Sequence, residues 1–198
     1  MRGKLITVAV SFGLMLAAPA LAQTEDQNWK TCGSTSDDPD RKIASCTAIV
    51  QSGQETAENV AVAYYDRGTA YDDKDQLERA IADYSAAIRI KPDYASAYRN
   101  RGGDYGQTGR YDNAIADLNR AIALDPNQAD AYSNRGFAYY YKSLYDRAIQ
   151  DETQAIQLAP NDAISYYIRG LAKQKAGDRA GGDADIAAAR KINPNLGQ

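Results

Sequence analysis

The residue types that carry most catalysis and metal binding are scarce in this chain. Its 198 residues include no histidine and two cysteines, Cys32 and Cys46. Without an imidazole, nucleophile–base dyads built on histidine are excluded, and the common metal-ligand sets lack members. Carboxylates are plentiful, but most recur at a spacing that a structural role explains. We therefore expect a protein that is not an enzyme, with no catalytic residue, no cofactor and no metal.

The first 22 residues have the features of an export signal. Arg2 and Lys4 precede an apolar run from Leu5 to Ala18, and Ala20 and Ala22 suit cleavage after Ala22. The run is shorter than the roughly 20 residues that span a bilayer, and an uncleaved anchor is the alternative. We expect a periplasmic or secreted protein with no integral membrane segment after cleavage. Its net charge of −3, which cleavage makes more negative, argues against nucleic acid and anionic lipid as partners.

An exported chain meets an oxidising compartment, which bears on the two cysteines. We expect a disulfide between Cys32 and Cys46. A metal site is the other interpretation, but one cysteine pair supplies only half of the usual four ligands.

Most of the 15 tyrosines recur with a period of 34 residues, which indicates that a repeated structural element positions them. The segment from Ala95 to Gln128 matches itself when it is moved by that period along the chain. Prolines and Arg-Gly pairs keep the same spacing. Four repeats result, at 61–94, 95–128, 129–162 and 163–196. A fixed period of this length indicates a repeat architecture.

Each repeat has the pattern of two helices. In the second repeat, we expect a helix from Ala95 to Thr108, a break at Gly109 and a second helix from Tyr111 to Leu124. One hairpin cannot bury its apolar stripe alone, so stacking of neighbours must complete the core.

Residues 23–57 precede the repeats. We expect an extended or irregular arm up to Asp38 and then a helix from about Asp40 to Gln51 that ends at Gly53. Aligned with the later repeats, Cys46 takes the place of Tyr84, so this helix resembles an unpaired second helix that caps the array. A disulfide would hold the arm against it.

The spacing within a repeat resembles the tetratricopeptide repeat (TPR) pattern, in an exported bacterial type with Asn/Asp-Arg-Gly variants. The residues that carry the likeness are Tyr98, Gly102, Tyr105, Ala114, Leu118, Ala121 and Pro126. The resemblance implies an all-α fold, a right-handed α-solenoid of about four helix hairpins with an N-terminal capping helix. It also implies that a protein segment binds on the concave surface lined by the first helices.

One departure from the family pattern recurs in every repeat. When positions are counted from the first residue of each repeat, arginine stands at position seven, where the family has leucine. An aspartate follows sixteen residues later. We predict a partly buried ion pair within each repeat, with a ligand-binding role for the arginines as the alternative. The pairs are Arg67 with Asp83, Arg101 with Asp117, Arg135 with Asp151 and Arg169 with Asp185.

The candidate binding residues are those that the period does not explain and that fall on groove positions of the first helices. They are Tyr65, Arg99, Asn100, Asn134, Phe137, Tyr140, Tyr141, Tyr167 and Leu171. Tyrosine and arginine are enriched at binding hot spots. The resemblance adds that asparagine at position six, here Asn100 and Asn134, often contacts the backbone of an extended peptide. The lysine-rich clamp that some TPR proteins use for a terminal carboxylate is not reproduced.

Three functions are compatible with these residues. The leading one is a non-catalytic scaffold that binds a peptide or protein segment of the cell envelope in the concave groove. The second is binding of an envelope glycan or small ligand by the groove tyrosines. The third is a self-associating structural spacer. In the last repeat, Asp183 and Arg190 replace the isoleucines of the earlier repeats, so we expect the array to end there with a solvated face.

Overall fold

The computed structural model describes residues 26–35 and 38–196, and every regular element in these ranges is helical. The predicted export signal at 1–22 lies outside the described residues. Residues 26–32 form α1. The helices that follow are α2 (Pro39–Ser52), α3 (Ala57–Asp72), α4 (Leu77–Ile90), α5 (Ala95–Gln107), α6 (Tyr111–Leu124), α7 (Ala129–Tyr141), α8 (Tyr145–Leu158), α9 (Ala163–Ala176) and α10 (Arg179–Ile192).

The helices α3 to α10 form four antiparallel hairpins that stack in chain order into an α-solenoid. First helices contact first helices, in the pairs α3–α5, α5–α7 and α7–α9. Within the described ranges, no Cα atom of one second helix lies within 8 Å of a Cα atom of another second helix. The array is therefore closed on the side of the first helices and spread on the other side. This asymmetry makes the surface of α3, α5, α7 and α9 concave, as expected.

Small residues allow the helices of a hairpin to approach closely. A Cβ atom on Gly102 would come within 2.7 Å of Leu118 Cγ, a distance that no ordinary contact reaches. Ala114, Leu118 and Ala121 are fully buried and form one core cluster with residues of the next hairpin.

The turn inside each hairpin requires a left-handed backbone at the same repeat position. Gly109 and Gly177 adopt φ values of 75° and 100°, and Asp75 and Ser143 adopt 56° and 60°. Glycine enters this region without a steric penalty, whereas a residue with a Cβ is strained there. The break expected at Gly109 is thus the turn of the second hairpin.

The N-terminal segment differs in one respect from the expectation. Residues 26–32 are helical rather than extended or irregular. The physical reason is burial, because Trp29 and Cys32 pack with Cys46 and Ile49 of α2. The polar composition of this segment predicted a loop, because it gives no information on the contact with α2. The disulfide between Cys32 and Cys46 is present, with Cα atoms 4.9 Å apart, and it joins α1 to α2.

The capping helix α2 lies close to its predicted bounds and ends at Gly53, whose φ is 66°. It packs on α3 in the way that a second helix packs on the next hairpin. Arg67 Nη1 donates to Thr47 Oγ1 at 3.0 Å, and Arg101 Nη1 donates to Ser85 Oγ of α4 at 2.9 Å. Thr47 and Ser85 correspond when Cys46 is aligned with Tyr84, so the contact supports that alignment.

Helix α3 begins four residues before the repeat boundary that the period gives. Its N-cap is Thr56, whose side chain accepts from the Asn59 backbone N–H at 3.2 Å. The extra turn explains why α2 is displaced by four residues from the 34-residue register. At the other end, Asp183 and Arg190 of α10 are exposed; that the array ends there stays a prediction.

Candidate functional site in the concave groove

The arginine at position seven forms the predicted ion pair in all four repeats. Each arginine donates through Nε and Nη2 to both oxygens of its aspartate, at 2.6 to 2.9 Å. The Nη1 atom donates to the preceding second helix, at Thr47, Ser85, Asn119 and Thr153. These arginines have little donor capacity left for a ligand. The structural interpretation is the one that the geometry supports.

A cavity of about 220 Å³ opens on the concave surface between α3, α5 and α7. The expected groove residues Asn100, Asn134 and Phe137 meet in its wall. The lining is completed by Asp72 and Gln107, which also stand at groove positions of the first helices, and by Gly103, Asp104 and Gly106, which the sequence had not singled out.

A second cavity of about 240 Å³ follows along the groove toward α9. Arg99, Asn100 and Asn134 line it together with Asp130, Ser133, Asp162 and Ile164. Arg99 approaches Asp130 at 3.7 Å. Since Asn100 and Asn134 belong to both walls, the two cavities are neighbouring sections of one groove.

The two asparagines at position six differ in how they are used. Asn100 accepts from Arg99 Nε at 3.1 Å, and its Nδ2 donates to the hydroxyls of Tyr84 and Tyr65 at 3.3 and 3.4 Å. Within the described residues, no hydrogen bond engages the Asn134 side chain. An amide that both donates and accepts matches a peptide unit. Asn134 is therefore the groove asparagine available to a ligand.

Aromatic side chains form a continuous cluster beside the first cavity, around the C-terminal end of α7. The Phe137 ring lies 4.6 Å from Tyr141, and Tyr140 meets Tyr141 edge to face at 5.4 Å. Tyr141 is 53% exposed and stacks on Tyr111 at 5.3 Å with an interplanar angle of 8°. Tyr145 extends the cluster at 5.9 Å from Tyr140. Tyr111 and Tyr145 begin second helices, so their place in the cluster could not be read from groove positions.

The remaining candidate residues lie at the margins of this site. Tyr65 packs against two core clusters, and its ring lies 4.9 Å from Tyr94. Burial raises the pKa of Tyr140, and the neighbouring Tyr145, Tyr141 and Tyr167 add to the shift, which places Tyr167 near the aromatic cluster. Leu171 is half-buried on α9 and lines neither cavity.

Asp104 is the most unusual residue of the first cavity. It is 1% exposed, and its Oδ2 has no hydrogen-bond partner. Burial, followed by the charge of the neighbouring Asp72, raises the pKa of Asp104 to about 8. The sequence held a signal for it, because the other three repeats have alanine at this position, as Ala70, Ala138 and Ala172.

Glu152 is a second buried acid that breaks the period. It is fully buried on α8, at the position held by Tyr84, Leu118 and Ile186 in the other repeats. Burial raises its pKa well above the ordinary value, and the adjacent Ser165 and Ser133 offset part of the shift. Ser165 Oγ donates to Asp162 Oδ2 at 2.6 Å, and neither Glu152 oxygen has a hydrogen-bond partner.

The described ranges, 26–35 and 38–196, contain neither a metal-binding cluster nor a membrane-spanning helix. No cluster of three or more His, Cys, Asp or Glu side chains there could hold a metal ion. No helix there has the length and apolar character needed to cross a membrane.

The fold and the groove define a helical-repeat solenoid whose first helices line a concave surface. The family model for the TPR repeat matches residues 68–106 and 102–143, and a further tetratricopeptide repeat model matches residues 129–162. The chain is a tetratricopeptide repeat protein. The predicted family and fold class are confirmed.

Solved structures with the same fold include several of MamA. MamA from Desulfovibrio magneticus RS-1 aligns with a TM-score of 0.73 at 16% identity, over 89% of this chain and 97% of that one. A MamA crystal structure aligns at 0.72 and 23% identity, over 87% and 93% of the two chains. Another aligns at 0.69 and 25% identity, over 79% and 90%. No curated protein matches the chain.

Proposed function

We propose that this protein is a non-catalytic scaffold that binds an extended peptide or protein segment in its concave groove. The observation that carries the proposal is the unpaired amide of Asn134, which lies in the wall of both cavities. The flanking Phe137 and Arg99 supply an apolar face and a cation beside it. Together these groups can hold a peptide backbone and discriminate among its side chains.

The test is selection of displayed peptides on protein expressed from the full chain, followed by affinity measurements. We expect Asn134→Ala to weaken the affinity for the selected peptides by about tenfold, since loss of the hydrogen bonds to one peptide unit costs roughly 1–2 kcal/mol of binding free energy. Asn113→Ala is the matched control, because Asn113 is exposed on α6 and lines neither cavity. Equal affinity of both variants would remove Asn134 from the site, and failure to select any peptide would overturn the proposal.

A second candidate function is favoured by the exposed aromatic cluster. The stacked pair of Tyr111 and Tyr141 presents a broad face beside the groove, and exposed aromatic patches mark recognition sites. An envelope glycan could pack on it. Capture from cell envelopes with the wild type and with Tyr111→Ala/Tyr141→Ala, analysed for proteins and for glycans, distinguishes the two candidates. If the double variant retains every partner of the wild type, the aromatic part of the groove serves neither.

We also propose that the protein works in the periplasm after removal of residues 1–22. The Cys32–Cys46 disulfide supports this location, because such bonds persist in oxidising compartments. Intact-mass analysis of the fractionated protein should give a chain that begins at Gln23 with both cysteines oxidised. A reduced chain in the cytoplasm that retains Met1 would contradict the proposal.

A further inference from the structure

The first cavity exists because the second repeat lacks side chains that the other repeats have. Gly103 stands where the others place Thr69, Phe137 and Leu171, and Gly106 stands where they place Asp72, Tyr140 and Gln174. A Cβ on Gly106 would extend to 3.7 Å from Phe137 Cδ1, that is, toward the cavity wall. The same helix that omits these two side chains adds a carboxyl at Asp104.

The ionisable groups in the described wall of this cavity are two neighbouring acids, and Asp72, through its charge and a side-chain hydrogen bond, helps burial to raise the pKa of Asp104. Among the residues that the structure describes, Asp72 and Asp104 are the ionisable members of its lining, and Asn100, Gln107, Asn134 and Phe137 complete the polar and aromatic wall. One cation, Arg110, lowers the pKa of Asp104 against these effects. Its guanidinium is already committed, since Nη2 pairs with Glu78 and Nε donates to Thr108 Oγ1 at 3.0 Å.

The buried carboxyl is thus left without a counter-ion in the folded protein. Asp104 lines the cavity, is almost fully buried, and keeps one oxygen without a partner. A group of this kind costs stability unless a ligand compensates it. Alanine in the other three repeats shows that the helix packing does not need a carboxyl at this position.

The ligand that fits is a single alkyl chain with a cationic end. Carboxylates bind ammonium and guanidinium groups through charge-assisted hydrogen bonds, and an aromatic face such as that of Phe137 attracts a cation. A volume of about 220 Å³ accommodates one long side chain but not a folded element. A metal ion is not favoured, because two carboxyls fall short of the usual ligand number.

We propose that this cavity is a subsite for one basic side chain, lysine or arginine, of the segment bound in the groove. The proposal rests on the proposed function and specifies its partner as a basic segment. Asp104 and Asp72 would receive the cation, and Asn134 would hold the neighbouring peptide unit.

Selection of displayed peptides should enrich lysine or arginine at one position. For a selected peptide, we expect Asp104→Asn to weaken binding about tenfold, and replacement of the peptide lysine by norleucine to do the same. Because the two changes remove one interaction, the norleucine peptide should bind the wild type and Asp104→Asn equally. Asp112→Asn removes the same charge from an exposed site on α6 and should leave the affinity unchanged.

Binding should also release a proton, because the cation favours the ionised form of Asp104. The groups that face Asp104 are Asp72 of α3, Tyr84 of α4 and Arg110 in the turn after α5. Affinity for a lysine peptide should therefore rise several-fold between pH 6 and pH 8 in the wild type and not in Asp104→Asn.

The outcomes separate this subsite from the groove as a whole. If selected peptides bind equally well with lysine and norleucine, the subsite is wrong while peptide binding stands. If no peptide is selected, the proposed function fails, and titration with n-butylammonium decides the cavity alone. Shifts of the Gly103 and Gly106 amide resonances in the wild type but not in Asp104→Asn would support the cation site, and unchanged spectra would overturn it.

Discussion

The four Arg–Asp ion pairs, one in each repeat, form a ladder along the array. Its aspartates and the two period-breaking acids, Asp104 and Glu152, are all buried carboxyls on helices, yet their surroundings are opposite. Asp117 is 8% exposed and receives two hydrogen bonds from Arg101. Asp104 and Glu152 are more deeply buried and have oxygens without partners. Carboxyls that recur in every repeat are compensated within the protein, and those that occur once are not. The regular acids therefore belong to stability, and the irregular acids are the candidates for function.

Removal of a ladder partner should have the largest effect. Asp117→Ala leaves the partly buried guanidinium of Arg101 without its carboxylate, so we expect a loss of about 3 kcal/mol or more in the free energy of unfolding. Asp112→Ala is the control on the same helix, and its exposed pair with Lys142 should contribute less than about 1 kcal/mol. Denaturant unfolding measures both. Equal losses would mean that the ladder has no special role.

A change at Glu152 should act in the opposite direction. Glu152→Leu restores the apolar type that Leu118 provides in the second repeat, and we expect a gain of about 2 kcal/mol at neutral pH. Folding raises the pKa of Glu152, so its contribution to stability falls as the pH rises above the ordinary glutamate value. The gain should accordingly grow with pH. Glu152→Gln keeps the shape and should remove the pH dependence; a gain that is flat with pH would contradict the assignment.

Asp104→Ala should give a smaller gain with the same sign. The pKa of Asp104 is about 8 in the folded protein, against about 3.9 in an unfolded chain. The native state therefore binds the proton more tightly, and the wild type loses stability as the pH rises from about 4 to about 8. We expect a gain at pH 8 that disappears at pH 4. Thermal unfolding at both pH values measures it, and Asp130→Ala, an exposed groove acid, should show no such change.

The sequence was sufficient for every feature that the period repeats. Hairpin bounds, the glycine contacts and the Arg–Asp pairs follow from residues that recur at fixed positions, since a regular array places equal residues in equal surroundings. The family pattern also placed Asn100, Asn134 and Phe137 on the groove. It could not show that Asn100 is engaged by Arg99 and Tyr84, because that contact depends on side chains of two different repeats.

The features that the sequence did not predict involve single residues whose structural role depends on their neighbours in the fold. Asp104 was one acid among many until its burial beside Asp72 was known. Tyr111 belonged to a recurring hairpin position, yet it stacks on the exposed Tyr141. The helical form of residues 26–32 arises from packing of Trp29 and Cys32 on α2, a long-range contact that local composition does not encode. The sequence evidence for such residues is a change of residue type at a repeat position, and both Asp104 and Glu152 show this change.

The smallest effect should come from Gly106→Ala, which tests whether the second repeat sacrifices stability for its cavity. Alanine is favoured over glycine within a helix by about 1 kcal/mol, and the new Cβ would meet Phe137 at an ordinary contact distance. Unfolding should therefore show a gain of up to that amount, while a basic peptide binds less tightly because the cavity is narrower. Gly109→Ala is the contrasting control: its φ of 75° makes alanine strained there, so it should lose stability without changing affinity. If Gly106→Ala is more stable and binds the basic peptide with unchanged affinity, the missing side chain at position 106 does not contribute to ligand binding. The difference between regular and irregular repeat positions would then apply to the buried acids and not to the glycines.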